Sequence, residues 1–81
     1  MLLTVEIEDE DVLHIHADTE GLDTLIGELT RLRNTRESND HTHLFTQSWG
    51  GNELTETKQS KTAKLVHHVN IHKWENGVDA C

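Results

Sequence analysis

Seven histidines in 81 residues are the first chemistry this chain offers. Four form two His-x-His pairs, His14/His16 and His41/His43, and the others are His67, His68 and His72. Residues two apart on a strand share a face and stand about 7 Å apart, so each pair presents two imidazoles together. With Glu6 as an oxygen donor, His14, His16, His41 and His43 are candidate ligands for zinc. Two features weigh against a built metal centre. The single Cys, Cys81, lies at the end of the chain, and an open sheet face offers few groups to orient each ring. Set beside Phe45, Trp49 and Trp74, the same histidines also match a protein-binding surface, where aromatic anchors sit among polar groups. Protonating all seven would move the formal net charge from −8 to −1, so the surface could also respond to pH.

No second reactive constellation competes. Ser48 and Thr46 belong to no strained nucleophile turn and no nucleophile–base–orienter set. Trp49-Gly50-Gly51 is too short to cradle phosphate. The expectation is a binding protein, not an enzyme.

These residues must be positioned by a small number of elements. Leu3, Val5 and Ile7 alternate with Thr4, Glu6 and Glu8, which predicts a strand. After the polar break Glu8 to Asp11, Leu13, Ile15 and Ala17 alternate with Val12, His14 and His16 in a second, antiparallel strand. Leu22, Leu25, Ile26, Leu29 and Leu32 then form one helical stripe. Asp18 or Thr19 can cap it, and Arg31 and Arg33 suit its negative end, so the spacing predicts a helix over about 19–34. Gly27 interrupts it, either for close approach to the sheet or as a tolerated flaw. A third strand is expected over 41–48 with His41, His43 and Phe45 outward, ended by Trp49-Gly50-Gly51. A fourth is expected from Leu65 to Trp74, with His68, His72 and Trp74 outward and His67 toward the core. Residues 53–63 carry no clear period, and 75–81 reads as a flexible tail beyond a single 1–74 domain.

The order ββαββ predicts a two-layer α+β domain, one helix packed on one face of a four-stranded, mainly antiparallel sheet. Its expected core is Leu3, Val5, Ile7, Leu13, Ile15, Leu44, Leu65, Val69 and Ile71 against the helical stripe. The opposite face, left open, would carry Glu6, Glu8 and six of the seven histidines.

Charge narrows the partners. Residues 1–30 hold nine acids and no Lys or Arg, whereas the remainder is nearly balanced. An acidic chain disfavours nucleic acid and anionic membrane and can be steered toward a basic protein. A solvated acidic face that merely keeps the chain soluble is the simpler alternative. No apolar run approaches the length of a membrane span, and no signal peptide is visible, so a cytoplasmic location is expected.

Three blocks carry a family resemblance: His14-Ile15-His16-Ala17-Asp18 with Glu20-Gly21-Leu22; Asp40-His41-Thr42-His43-Leu44-Phe45-Thr46 running into Ser48-Trp49-Gly50-Gly51-Asn52-Glu53-Leu54; and Leu65 to Trp74. Over about residues 2–74 the chain resembles the bacterial immunity protein 32 family of polymorphic toxin systems. The resemblance implies an inhibitor that binds a cognate toxin domain without chemistry of its own. The candidate partner-binding residues, from both lines of reading, are Glu6, Glu8, Asp11, His14, His16, His43, Phe45, Trp49, Glu53, His72 and Trp74. Gly50 and Gly51 are assigned to the turn. No cofactor is expected, with a histidine-rich zinc-binding protein as the alternative. A third reading is a self-associating module, and the expected state is a monomer or weak homodimer.

Overall fold

The period-two segments pair as a hairpin. In the computed structural model, which describes residues 1–36 and 40–74, strand β1 (Leu3–Glu8) pairs antiparallel with β2 (Val12–Ala17), from Leu3 opposite Ala17 to Glu8 opposite Val12. Asp9 closes the turn at φ 60°, a left-handed conformation that Asp tolerates better than most residues. Helix α1 (Thr19–Asn34) follows at once, at the predicted bounds. Asp18 caps it, its Oδ1 accepting the Gly21 N–H at 2.8 Å. At the other end Lys73 Nζ donates to the carbonyls of Arg33 (2.8 Å) and Thr35 (2.9 Å), where free carbonyls and the helix dipole favour a cation.

Strand β3 (His41–Phe45) is shorter than expected, because the chain turns into a 3-10 turn at Gln47–Trp49. The expected last strand is two strands: β4 (Lys64–Leu65), paired antiparallel with β1, and β5 (His68–His72), paired antiparallel with β3. The single four-stranded sheet is therefore replaced by a three-stranded sheet, β2-β1-β4, and a two-stranded one, β3-β5. The break has a local cause. Val66 N–H bonds the Val5 carbonyl at 2.8 Å, whereas the His67 carbonyl accepts Thr46 N–H at 3.0 Å, so the chain changes partner between these two residues. Leu54 and Thr55 make a parallel crossing, with N–H groups on the carbonyls of Phe45 and Leu3. The α+β class holds, with one helix and two small antiparallel sheets among the described residues.

The core is Leu3, Val5, Leu44 and Leu54, with Leu25, Val69 and Ile71 packed against it. It is smaller than the expected one. Leu32 is buried and Leu25 half-buried, but Leu22, Ile26 and Leu29 are exposed, as are Ile7, Leu13 and Ile15. At about 100° per residue the helical stripe is broad, and α1 is rotated so that only its Gly21–Leu25–Leu32 side faces the core. Gly21 has no room for a side chain, since a Cβ there would lie 1.8 Å from the Leu2 carbonyl oxygen. Gly27 faces open space, so it is not a point of close approach. Residues 53–63, ambiguous in sequence, lie across the polar face of β1. Thr4 Oγ1 bonds Thr55 Oγ1 at 2.6 Å and donates to the Thr57 carbonyl at 3.0 Å.

Candidate functional site

The outward rows of β3 and β5 face one way. Pairing sets His41 opposite His72, His43 opposite Asn70 and Phe45 opposite His68, while Thr42, Leu44, Val69 and Ile71 turn inward. Cross-strand and same-strand neighbours then bring the rings into contact. His41 lies 4.7 Å from His43 and 5.6 Å from His72, centroid to centroid. His68 stacks on Phe45 at 4.3 Å and on His43 at 5.0 Å, and His43 Nδ1 shares a hydrogen bond with His68 Nε2 at 2.8 Å. At the end of this row Trp49 lies parallel to His67 at 5.6 Å and close to His68. The result is a continuous aromatic and imidazole surface running from His72 to Trp49.

The Trp49 turn is held from below. Gly50 adopts φ 93°, which an L side chain rarely does. Gly51 has no room for a methyl group, because its Cβ would meet Phe45 Cβ at 2.5 Å. Glu53 Oε1 accepts the Phe45 N–H at 3.0 Å, and Glu56 Oε2 accepts that of Ser48 at 2.8 Å. The Ser48 side chain, its backbone N–H and Thr46 hold the Glu56 carboxyl below the usual range. Glu53, a candidate contact residue, thus has a structural task within the turn. Its neighbour Trp49 is left 57% exposed. Ile7, Trp49 and Lys64 to His68 line a shallow cleft of about 330 Å³ where the two sheets meet.

Electrostatics follow from crowding. Desolvation and the neighbouring His41, His68 and His72 hold the His43 pKa below its ordinary value. Bringing like charges onto this face is unfavourable, so His43 stays neutral to lower pH than an isolated histidine would.

Several expected site residues lie elsewhere. Glu6 was expected on an open face and is instead wholly buried, its Oε2 accepting Gln59 N–H at 2.5 Å. Its Oε1 has no hydrogen-bond partner among the described residues and faces His16 Nε2 at 3.5 Å. Glu8 is engaged by Thr62 Oγ1 and by Ser60 Oγ at 3.4 Å. The cause is the 53–63 crossing, which covers the polar side of β1. Asp11 remains exposed in the β1–β2 turn. His14 and His16 stack on β2 at 6.0 Å, on a different sheet from His41 and His43. The four candidate metal ligands are therefore two separate pairs. Among the described residues, no group of three or more His, Cys, Asp or Glu side chains is placed to hold a metal ion.

His67 is not in the core, as expected, but half-buried beneath Trp49, with Nδ1 2.7 Å from Thr46 Oγ1. Sequence reasoning missed it and His68 as site residues; the adjacent His-His dipeptide at the strand break was the available signal. Trp74 is exposed just past β5, and the ring contacts of Trp49 are to His67 and His68. The expected tail, 75–81, lies outside the described residues.

Comparison with known families decides the affiliation. The model of the family described as immunity protein 32 matches residues 12–69, which span β2, α1, β3, the Trp49 turn and the start of β5. The chain belongs to the immunity protein 32 family. The match takes in Trp49, Gly50, Gly51 and Glu53, so the constrained turn that presents Trp49 in this immunity protein lies within the family segment. Comparisons with curated proteins and with solved structures gave no match. No helix among the described residues is long and apolar enough to cross a membrane.

Proposed function

We propose that this immunity protein neutralises a cognate bacterial toxin in the cytoplasm by binding it, with no catalysis, through the face that runs from His43 and Phe45 to Trp49. The observation that carries this reading is the exposure of Trp49 on a turn that the fold goes to some length to hold. A large aromatic fixed in place beside a shallow cleft loses little entropy on binding and is the kind of residue that dominates interface energetics. His67 and His68 lie against its ring, His43 and Phe45 continue the row beyond them, and His72 and Trp74 stand toward its far end. Asp9, Glu10 and Asp11 are exposed in the β1–β2 turn and add steering toward a basic toxin surface.

The test takes as partner a toxin domain encoded in the gene next to this one. Trp49→Ala is expected to weaken the complex at least about thirtyfold, the scale of a hot-spot loss near 2 kcal/mol, without lowering thermal stability. Reversing Asp11 to Lys is expected to slow association and reduce its salt dependence, leaving dissociation nearly unchanged. Equal affinity for Trp49→Ala and the parent chain would remove the proposed face, and failure to bind or protect against the toxin would remove the function.

A further inference from the structure

The proposed toxin-binding face leaves unexplained a second surface, along β2 and α1. Strand β2 is an edge of its sheet, with β1 on one side and no strand among the described residues on the other. The carbonyls of Leu3 and Val5 bond Thr55 and Val66 across the opposite edge of β1. Antiparallel alternation then makes Val5/Ile15 and Ile7/Leu13 non-bonded pairs, so Leu13 and Ile15 turn their backbone N–H and C=O outward from the sheet. Natural edges are blunted by Lys, Pro or a bulge, but Val12-Leu13-His14-Ile15-His16-Ala17 has none, and its register with β1 is unbroken.

The side chains point to the same conclusion. Leu13 and Ile15 lie on the Val5 side of the sheet, yet are 56% and 52% exposed. On α1, Glu28 and Arg31 bond Thr42 of β3, at 3.1 and 2.8 Å. The flank opposite them carries Leu22, Ile26 and Leu29, which therefore lean past the β2 edge, with Ile26 58% exposed. An open edge and an open apolar helix flank lie side by side.

We infer that a second copy of this chain covers both at once, through antiparallel pairing of β2 with its own copy. One two-fold axis normal to the sheet joins the two three-stranded sheets into six strands and sets the two α1 helices antiparallel on the same face. Because paired residues share a face, the register is centred on a residue; centred on His14 or on Ile15, it keeps Leu13 and Ile15 on the helix side and pairs both within the strand. The charges on α1 fit this arrangement. Asp23 lies near its start and Arg33 near its end, on or beside this flank, so an antiparallel copy places acid beside base. Arg33 continues the Leu22–Ile26–Leu29 line at helical spacing. The toxin-binding face lies on β3–β5 and remains open in the dimer.

Sedimentation of the full chain from about 1 to about 200 μM tests the dimer, with Ile15→Lys on the edge and Ile26→Glu on the helix. Both side chains are more than half exposed, so circular dichroism is expected to be unchanged. The parent chain is expected to sediment as a dimer at the upper concentrations, and each variant to raise the dimer dissociation constant at least about tenfold. On the parent chain alone, hydrogen exchange at the Leu13 and Ile15 amides is expected to slow as concentration rises. A chain that stays monomeric throughout, a dimer that neither variant weakens, or exchange independent of concentration would overturn the inference.

Discussion

The carboxylate of Glu53 accepts the backbone N–H of Phe45 at 3.0 Å, tying the end of β3 to the chain that leaves the Trp49 turn. The bond closes the turn from beneath and leaves Trp49 as its exposed member. Replacing Glu53 by Ala leaves that N–H half-buried without its acceptor, and a loss of about 1–3 kcal/mol is expected in urea denaturation. Glu53→Gln, which keeps an acceptor oxygen, is expected to recover most of it. Toxin affinity should fall for Glu53→Ala through the displaced Trp49, even though Glu53 itself is half-buried.

The glycines of α1 and the turn separate by their surroundings. Gly51→Ala must displace the Phe45 side chain or backbone and is expected to cost about 1–3 kcal/mol. Gly27→Ala meets nothing within 4 Å on an exposed helix face and should stabilise the protein by about 0.5–1 kcal/mol. Thermal melts of the two variants should shift in opposite directions.

Lys73 closes the helix from a distance, donating to the carbonyls of Arg33 and Thr35. Lys73→Met keeps most of the aliphatic stem and removes the donor. A loss of about 0.5–1.5 kcal/mol is expected, with faster hydrogen exchange confined to the last turn of α1.

Stability should fall in acid in two steps. The His43 pKa lies below its ordinary value in the folded chain, so on acidification from about pH 6.5 the unfolded chain binds the proton first and stability declines. The Asp18 carboxyl is likewise lowered, by the backbone groups of Leu2 and Gly21 and by the amino terminus, and its contribution is lost as pH falls through its folded-state value. His43→Gln should flatten the first decline in thermal melts taken between about pH 7.5 and 5; Asp18→Asn should reduce the second, which the lowered Glu56 carboxyl shares, in melts taken below about pH 4.5. Equal slopes in the parent chain and His43→Gln would separate the first decline from the histidine row.

How much of the site was legible follows from how far apart the deciding residues are. The outward row His41, His43 and Phe45 is set by period two within one strand, and the turn after it by two consecutive glycines. The adjacency of that row to His68 and His72 needed the β3–β5 register, which the alternation of both segments supported. The burial of Glu6 was not legible, because Gln59, about fifty residues later in sequence, supplies its cover.

The amino-acid sequence by itself determined the β1–β2 hairpin, the bounds of α1 with its cap narrowed to Asp18 or Thr19, the concentration of acid in the first thirty residues and the family. These depend on neighbours within a few positions, or on residue identity alone. Only the tertiary structure decided that β4 and β5 enter different sheets, that residues 53–63 close over the polar side of β1, and that α1 buries one side of its stripe while Leu22, Ile26 and Leu29 stay outside. An apolar period states which residues share a face, and the same period serves a face turned to the core or to a second molecule. Which one it meets is set by the long-range backbone pairing of Val66 with Val5 and of His67 with Thr46, and by the packing that pairing allows.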